Sequence, residues 1–224
     1  MKKFAIIAAG GSGSRMNTQT PKQFLLLAGR PVLWYTITTF LDAYPDLEII
    51  LVLPVNHFQE GEALVQSFDS PGRIHLAKGG DTRFHSVKKG LEFIVDPSIV
   101  FVHDAVRCLV TKTLIQRCYD NTLLNGNAVP AVSSVDSMRL EKDGNNWSMD
   151  RARVKIIQTP QTFRSELIKK AFEQEYRESF TDEASVVERL DVKINLVEGE
   201  ELNIKITHPA DFAAAEKIIE TMFR

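Results

Sequence analysis

The sequence predicts an α/β protein with a mostly parallel sheet flanked by helices. Three observations carry that prediction. Short apolar or β-branched runs alternate along the chain with longer stretches of helical periodicity, the pattern of βαβ units. Of the 224 residues, 44% are hydrophobic and 25% charged, with 12 Gly and 9 Pro, the balance of an ordinary globular protein rather than a fibrous, disordered or low-complexity one. Glycine-rich turns at residues 10–13 and 79–80 follow directly on apolar runs, where open parallel sheets bind their ligands. At about 150 residues per domain the length corresponds to roughly 1.5 domains. One domain over residues 1–224 with a small appendage is the expectation.

The elements follow in order. Strands are predicted at residues 4–8, 48–53, 73–77, 100–103, 128–132 and 194–197, with a short one at 203–206, each a compact apolar run bounded by polar or turn-forming residues. The first helix opens at Pro31, where a missing N–H costs nothing, and Val32, Leu33, Tyr35, Thr36, Phe40 and Leu41 recur on one face. Further helices are predicted at 58–68, 82–94, 112–124, 165–172, 182–190 and 210–222. Residues 137–154, SMRLEKDGNNWSMDRARV, break the rhythm: polar, with Asp143-Gly144 between alternating flanks, they predict a protruding β-hairpin. A solvated loop is the alternative. Met138, Leu140, Trp147 and Met149 favour an arm at about 136–155 that packs on something, most economically a second copy of the chain.

Cys108 and Cys118 are too few for a disulfide framework, and the opening MKKFAIIAAGG has too short an apolar run for a signal peptide, so a reducing cytoplasm is expected. No run approaches the roughly 18 apolar residues of a membrane span. The 27 Lys and Arg against 29 Asp and Glu leave a formal charge of −2, which argues against a protein that coats nucleic acid.

Four loops carry candidate chemistry. In the first, Ala8, Ala9, Gly10, Gly11, Ser12, Gly13 and Ser14 run into Arg15 and on to Lys22. Its glycines let backbone N–H groups turn toward an anion while Arg15 and Lys22 add positive charge, which equips the loop for phosphate. A tight connection alone would also use glycines. No Gly-Lys-Ser/Thr follows, so this is not a Walker A loop, and Met16 stands where a dinucleotide fingerprint has its third glycine. In the second loop, Gly79, Gly80 and Asp81, with Ser86 one turn into the next helix, suit backbone contacts to a base or ribose; Asp81 equally suits a helix cap. In the third, Asp104 ends an apolar strand, the place of a Mg²⁺-binding carboxylate in enzymes that handle nucleoside triphosphates, or of a structural pair with Arg107. His103 reads as a packed strand-end residue. In the fourth, Thr181 and the acids after it read as a helix start. Lys205 emerges from a late strand, either at the site or as an edge-strand lysine.

Taken in order, AAGGSGSRM, PKQF, GGDTRFHSV, HDAVR, DR before QTPQ, TDEAS, and LVEG followed by NIKIT resemble the 2-C-methyl-D-erythritol 4-phosphate cytidylyltransferase family, over about residues 4–212. The resemblance implies a Rossmann-like nucleotidyltransferase fold, a homodimer with exchanged β-arms, CTP as substrate and a divalent cation such as Mg²⁺. It implies that Arg15 and Lys22 hold the CTP phosphates, and that the backbone of Ala8, Ala9, Gly10 and Gly11, with Gly80, Asp81, Ser86 and Ala105, meets cytosine and ribose. Asp104 takes the metal. Asp136, Ser137, Arg151, Thr159 and Lys205 fall on the acceptor side, with Ser137 and Arg151 given by the partner subunit. Arg15, Lys22, Arg151 and Lys205 form the catalytic set.

Three departures stand out: Ser137 where the family often has Thr, Cys108 in place of the usual proline, which loosens the loop after Asp104, and Asp191 at a common glycine position. A pentitol (ribitol) 5-phosphate cytidylyltransferase is the nearest alternative, since it shares the phosphate and CTP loops. A nicotinamide-dependent oxidoreductase would need the third glycine and an acid closing the second strand, where Leu53-Pro54 stands. A silent nucleotide-binding regulator would not need Arg15, Lys22, Asp104 and Lys205 together.

Overall fold

The computed structural model describes residues 1–11 and 20–222. Arg15 and Met16 of the first loop therefore lie outside the described residues. In chain order the elements are β1 (Lys2–Ala8), β2 (Leu26–Leu27), β3 (Arg30–Pro31), α1 (Val32–Ala43), β4 (Leu47–Leu53), α2 (Phe58–Gln66), β5 (Ile74–Lys78), α3 (Arg83–Leu91), β6 (Ser98–Asp104), α4 (Lys112–Asn125), β7 (Asn127–Ser133), β8 (Met138–Lys142), β9 (Asn145–Met149), β10 (Lys155–Ile157), β11 (Gln161–Arg164), α5 (Ser165–Ala171), α6 (Glu183–Glu188), β12 (Leu196–Glu198) and α7 (Pro209–Met222).

The main sheet runs β5-β4-β1-β6-β11-β7, with β10 and β12 also on β7. Pairs β4·β5, β1·β4, β1·β6 and β7·β12 are parallel, whereas β10 and β11 run antiparallel to their neighbours. The sheet is thus mostly parallel and flanked by helices on both faces. Period 2 explains how the apolar runs serve both layers. Ala5, Ile7, Ile49, Leu51, Ile99 and Phe101 pack under α1, α2 and α4 with Leu33, Phe40, Leu64 and Leu114. Their neighbours Phe4, Ile6, Ile50, Val52, Val100 and Val102 pack under α3, α5 and α6 with Phe84, Val87, Ile168 and Val187. β6 is buried along its whole length and is accordingly apolar from Ile99 to Val102 before it ends at His103 and Asp104.

Several expectations shift. Residues 203–206 do not form a strand: the backbone N–H of Ile206 donates to Val106 O at 3.0 Å in the loop after β6, and Arg107 and Gln158 donate to the Asn203 carbonyl. Lys205 therefore comes from an irregular segment, not from a sheet edge. Thr82, not Asp81, caps α3, accepting from His85 N at 3.3 Å. Asp182, not Thr181, caps α6 in a reciprocal capping box with Ser185. The antiparallel strands β10 and β11 were not predicted. Asp191 has φ +56°, the left-handed conformation that explains why glycine suits this position. Cys108 is buried, and the backbone bonds Arg107 N to Asp104 O (3.0 Å) and Val110 N to Arg107 O (3.2 Å) close the loop around it.

The hairpin forms as predicted. Asp143 and Gly144 both adopt positive φ, +52° and +77°, as a two-residue turn matched to strand twist requires. Met138 pairs with Met149 and Leu140 with Trp147, and every residue of β8 and β9 is exposed. No helix among the described residues is long and apolar enough to cross a membrane.

Candidate active site

The chain leaves β1 for β4 on one side and later returns to place β6 on the other, so the carboxyl ends of β1 and β6 flank a topological switch point. A cleft of about 360 Å³ opens there. Ala8, Ala9, Gly10 and Gly11 line it from β1, Gly80, Asp81 and Ser86 from the turn after β5, Asp104 and Ala105 from β6, and Lys22 and Lys205 from two later segments. Eleven sequence-predicted residues thus share one cavity.

Local chemistry fixes these groups. The Ser86 hydroxyl accepts from Gly80 N at 3.1 Å and donates to Gly80 O at 3.3 Å, pinning the turn to α3. A Cβ on Gly80 would fall 2.5 Å from His85 Cβ, so glycine is what lets the turn lie this close to the helix. Gln23, almost fully buried, donates to Ala9 O at 2.8 Å and holds the end of β1. Thr36 donates to Ala105 O at 3.0 Å, and Lys22 Nζ donates to Ile206 O at 2.8 Å, linking the cleft's two lysine-bearing segments.

Asp104 is the electrostatic centre. Its Oδ1 accepts from Arg83 Nη1, its Oδ2 lies 2.9 Å from Lys205 Nζ, and Arg107 Nε stands 3.7 Å from Oδ2. Burial drives the Asp104 carboxyl up, but Arg83, Lys205 and Arg107 outweigh it and hold the group well below the usual carboxylate range. Glu183 is buried too and reaches Arg83 Nη2 at 2.9 Å. Burial raises its pKa, since Arg83 alone opposes the desolvation that three cations oppose at Asp104. Burial pulls Arg83 down, and Glu183 with Asp104 more than reverses this, so the guanidinium stays charged. Burial also lowers His103 to about 3. Its Nε2 lies 3.2 Å from Arg107 O and must carry the proton, which leaves Nδ1 to accept from Thr159 Oγ1 at 3.0 Å. His103 is thus the packed strand-end residue expected.

Of the residues that the resemblance assigns to the acceptor, all but Lys205 are placed differently. Thr159 is buried behind the cleft, its hydroxyl taken up by Asp104 N at 3.1 Å and by His103. Asp136, Ser137 and Arg151 sit exposed at the foot of the arm, where Arg151 Nη1 donates to Val135 O at 3.0 Å, and none of the three lines this chain's cleft. A second hollow of about 510 Å³ lies there between β7, β10 and β12, lined among others by Ser133, Val135, Lys155, Leu196 and Glu198.

Gln23, Thr82, Arg83, Val106 and Thr207 also line the cleft and were not singled out from sequence. For Arg83 a signal existed. As the first residue of α3 it puts a cation at the positive end of the helix dipole, an unfavourable position that calls for a partner elsewhere. Among the described residues no group of three or more His, Cys, Asp or Glu is arranged to hold a metal ion. A single carboxylate fits Mg²⁺ brought in on phosphates, because that ion takes one or two carboxylates and keeps phosphate and water oxygens for the rest.

Comparison with known proteins agrees with this geometry. The family described as IspD, 2-C-methyl-D-erythritol 4-phosphate cytidylyltransferase, matches residues 4–221. A protein of that name from Bacteroides thetaiotaomicron is 42% identical over 219 residues, covering 98% of this chain and 100% of its own. One from Porphyromonas gingivalis is 41% identical over 220 residues, covering 97% and 98%. The crystal structure of 4-diphosphocytidyl-2C-methyl-D-erythritol synthase from Anaerococcus prevotii superposes with a TM-score of 0.82 at 30% identity, covering 98% and 99%. The fold is thus that of a Rossmann-like nucleotidyltransferase, and the chain belongs to the 2-C-methyl-D-erythritol 4-phosphate cytidylyltransferase family.

Proposed function

We propose that this enzyme transfers CMP from CTP to the phosphate of 2-C-methyl-D-erythritol 4-phosphate, giving CDP-methylerythritol and pyrophosphate in non-mevalonate isoprenoid biosynthesis. The observation that carries the reading is the meeting of Lys22, Lys205 and an ionised Asp104 with two glycine-bearing turns on one switch-point cleft. An oxygen of the acceptor phosphate bonds to the α-phosphorus as the bond from that phosphorus to the α,β-bridging oxygen breaks, and pyrophosphate leaves with the electron pair. The attacking oxygen is already ionised near neutral pH, so no general base is required and alignment supplies most of the acceleration.

The chain's own residues supply the rest. Arg15 and Lys22 suppress repulsion between two polyanions, and Lys22 stabilises charge developing at the α-phosphate. The turns at Ala8–Gly11 and Gly80–Asp81 offer backbone groups to cytosine and ribose, with Ser86 holding the second turn in place. Lys205 and, from a second copy, Arg151 clamp the acceptor, with Asp136 and Ser137 shaping its pocket, while Thr159 behind the cleft holds the end of β6. Mg²⁺ or another divalent cation neutralises phosphate charge when bound, and Asp104 is the residue that would hold it.

The working form in this reading is a cytoplasmic homodimer of single-domain chains with exchanged arms. Met138, Leu140, Trp147 and Met149 support it, since a lone two-stranded hairpin with exposed apolar side chains is marginal in water. The free, buried Cys108 and Cys118 suit a reducing compartment.

Incubation with CTP, Mg²⁺ and methylerythritol phosphate, followed by pyrophosphate release, tests the reaction. Turnover with that acceptor and none with ribitol 5-phosphate is expected; the reverse preference would sink the assignment.

A further inference from the structure

Arg83 joins two buried carboxylates from distant parts of the chain, Asp104 at the end of β6 and Glu183 at the start of α6. We propose that Glu183 is a positioning residue that acts through Arg83: it keeps the guanidinium fixed on Asp104 Oδ1, so that Lys205 on Oδ2 is the cation free to move to an incoming phosphate. This rests on the reading of the cleft as a site where phosphates react, and it assigns the cleft one fixed cation and one exchangeable one.

The two oxygens of Asp104 meet unlike partners. Lys205 is a flexible ammonium whose side chain is 48% exposed, and its contact with Asp104 at 2.9 Å is the only ion pair it makes among the described residues. A phosphate offers such a lysine an equivalent partner. Arg83 is a planar fork whose two nitrogens are each taken by a different carboxylate. Turning toward a phosphate would strand Glu183, whose side chain is 2% exposed, as an unpaired buried anion, which is among the most unfavourable events a protein interior offers. Glu183 therefore restrains Arg83 even when a polyanion enters.

The location of Glu183 argues against a purely local structural role. The α6 cap is complete without it, since Asp182 and Ser185 satisfy each other, and its carboxylate points instead at a residue 100 positions earlier in sequence. An apolar side chain would fill the same space without the desolvation of an ion. What the carboxylate adds is the direction in which Arg83 points. Arg107 is not a substitute, because its guanidinium is turned to Asn203 O at 2.8 Å and its Nε stays 3.7 Å from Asp104.

The test is a double-mutant cycle on the full-length enzyme with Glu183→Gln, Arg83→Gln and both together, read by steady-state kinetics, by calorimetric CTP binding without Mg²⁺ or acceptor, and by thermal unfolding. Glu183→Gln is expected to lower kcat at least about tenfold while KM for CTP moves less than about threefold. Metal-free CTP binding is expected to hold or tighten as Arg83 becomes free to reach phosphate. The double variant is expected to be no slower than Arg83→Gln alone, because both changes act through one contact. Arg83→Lys, which keeps the charge but cannot bridge two carboxylates, serves where removal of Glu183 prevents folding, and its kcat is also expected to fall about tenfold. Normal kcat in folded Glu183→Gln or in Arg83→Lys, or losses that simply multiply in the double variant, would overturn the proposal. A wild-type enzyme that releases no pyrophosphate would instead overturn the assigned reaction.

Discussion

Thr159 Oγ1 lies 3.0 Å from His103 Nδ1 and accepts the backbone N–H of Asp104 at 3.1 Å. One buried hydroxyl therefore donates to the Nδ1 left bare by the tautomer that Arg107 O selects, and holds the end of the strand that carries the central carboxylate. Thr159→Val keeps the shape and removes the hydroxyl, leaving a buried N–H and a ring nitrogen without a partner. Loss of about 1–3 kcal/mol in urea unfolding is expected, with Thr159→Ser restoring most of it. Valine as stable as threonine would show that the hydroxyl contributes only packing.

His103 predicts a pH dependence of stability. Burial holds its folded pKa at about 3 against 6.5 for the free side chain. A depressed histidine binds its proton in the unfolded chain first, so stability present above pH 6.5 is lost as pH falls toward 3, at about 1.4 kcal/mol per pH unit. The window from pH 6.5 to 5 isolates this effect, since most carboxylates titrate lower. Chemical unfolding of EDTA-treated protein is expected to follow that slope, and His103→Asn to flatten it. A wild-type slope near zero would mean that the imidazole takes up its proton inside the fold.

Lys22 is half-buried at the cleft, where it reaches Ile206 O at 2.8 Å, and it lies outside the hydrophobic core. Its replacement should therefore spare the fold and strike the chemistry. Lys22→Ala is expected to lower kcat by at least about a hundredfold, the scale of losing one donor to a developing oxyanion. The far-ultraviolet circular dichroism spectrum should not change. Near-normal turnover would remove Lys22 from the mechanism.

What the sequence revealed follows from how each signal arises. The strands β1, β4 and β6 were legible because burial on both faces demands an unbroken apolar run, and the hairpin because Asp143-Gly144 suits only a turn with positive φ. The cleft residues were legible because switch-point geometry tells where to look, and the ordered motifs named the family. Residues 203–206 misled because Ile204 and Ile206 alternate like a strand, whereas Asn203 is buried by hydrogen bonds to Thr159 O and from Arg107 that no periodicity encodes. The bond between Arg83 and Glu183 spans 100 positions, beyond the reach of any local pattern. Thr159 was drawn to the acceptor pocket by its motif, and only the three-dimensional contact shows its hydroxyl already taken.

The proposed exchange of arms makes the sharpest prediction about assembly. If Arg151 and Ser137 serve the partner's cleft, then a chain lacking Lys22 still donates a sound arm, and a chain lacking Arg151 still owns a sound cleft. Each variant alone should be inactive as a homodimer. When Lys22→Ala and Arg151→Ala chains are mixed, unfolded and refolded together, half of the dimers are mixed. Each of those carries one cleft with Lys22 served by one arm with Arg151, so about a quarter of wild-type specific activity should return. The pairing should vanish, and activity with it, when Leu140→Lys and Trp147→Glu are added to both chains, because these side chains face each other across the hairpin and share its apolar surface. Sedimentation would then report monomers. Mixing that restores nothing, from chains that sedimentation shows to be dimeric, would place Arg151 at its own chain's cleft or outside the reaction.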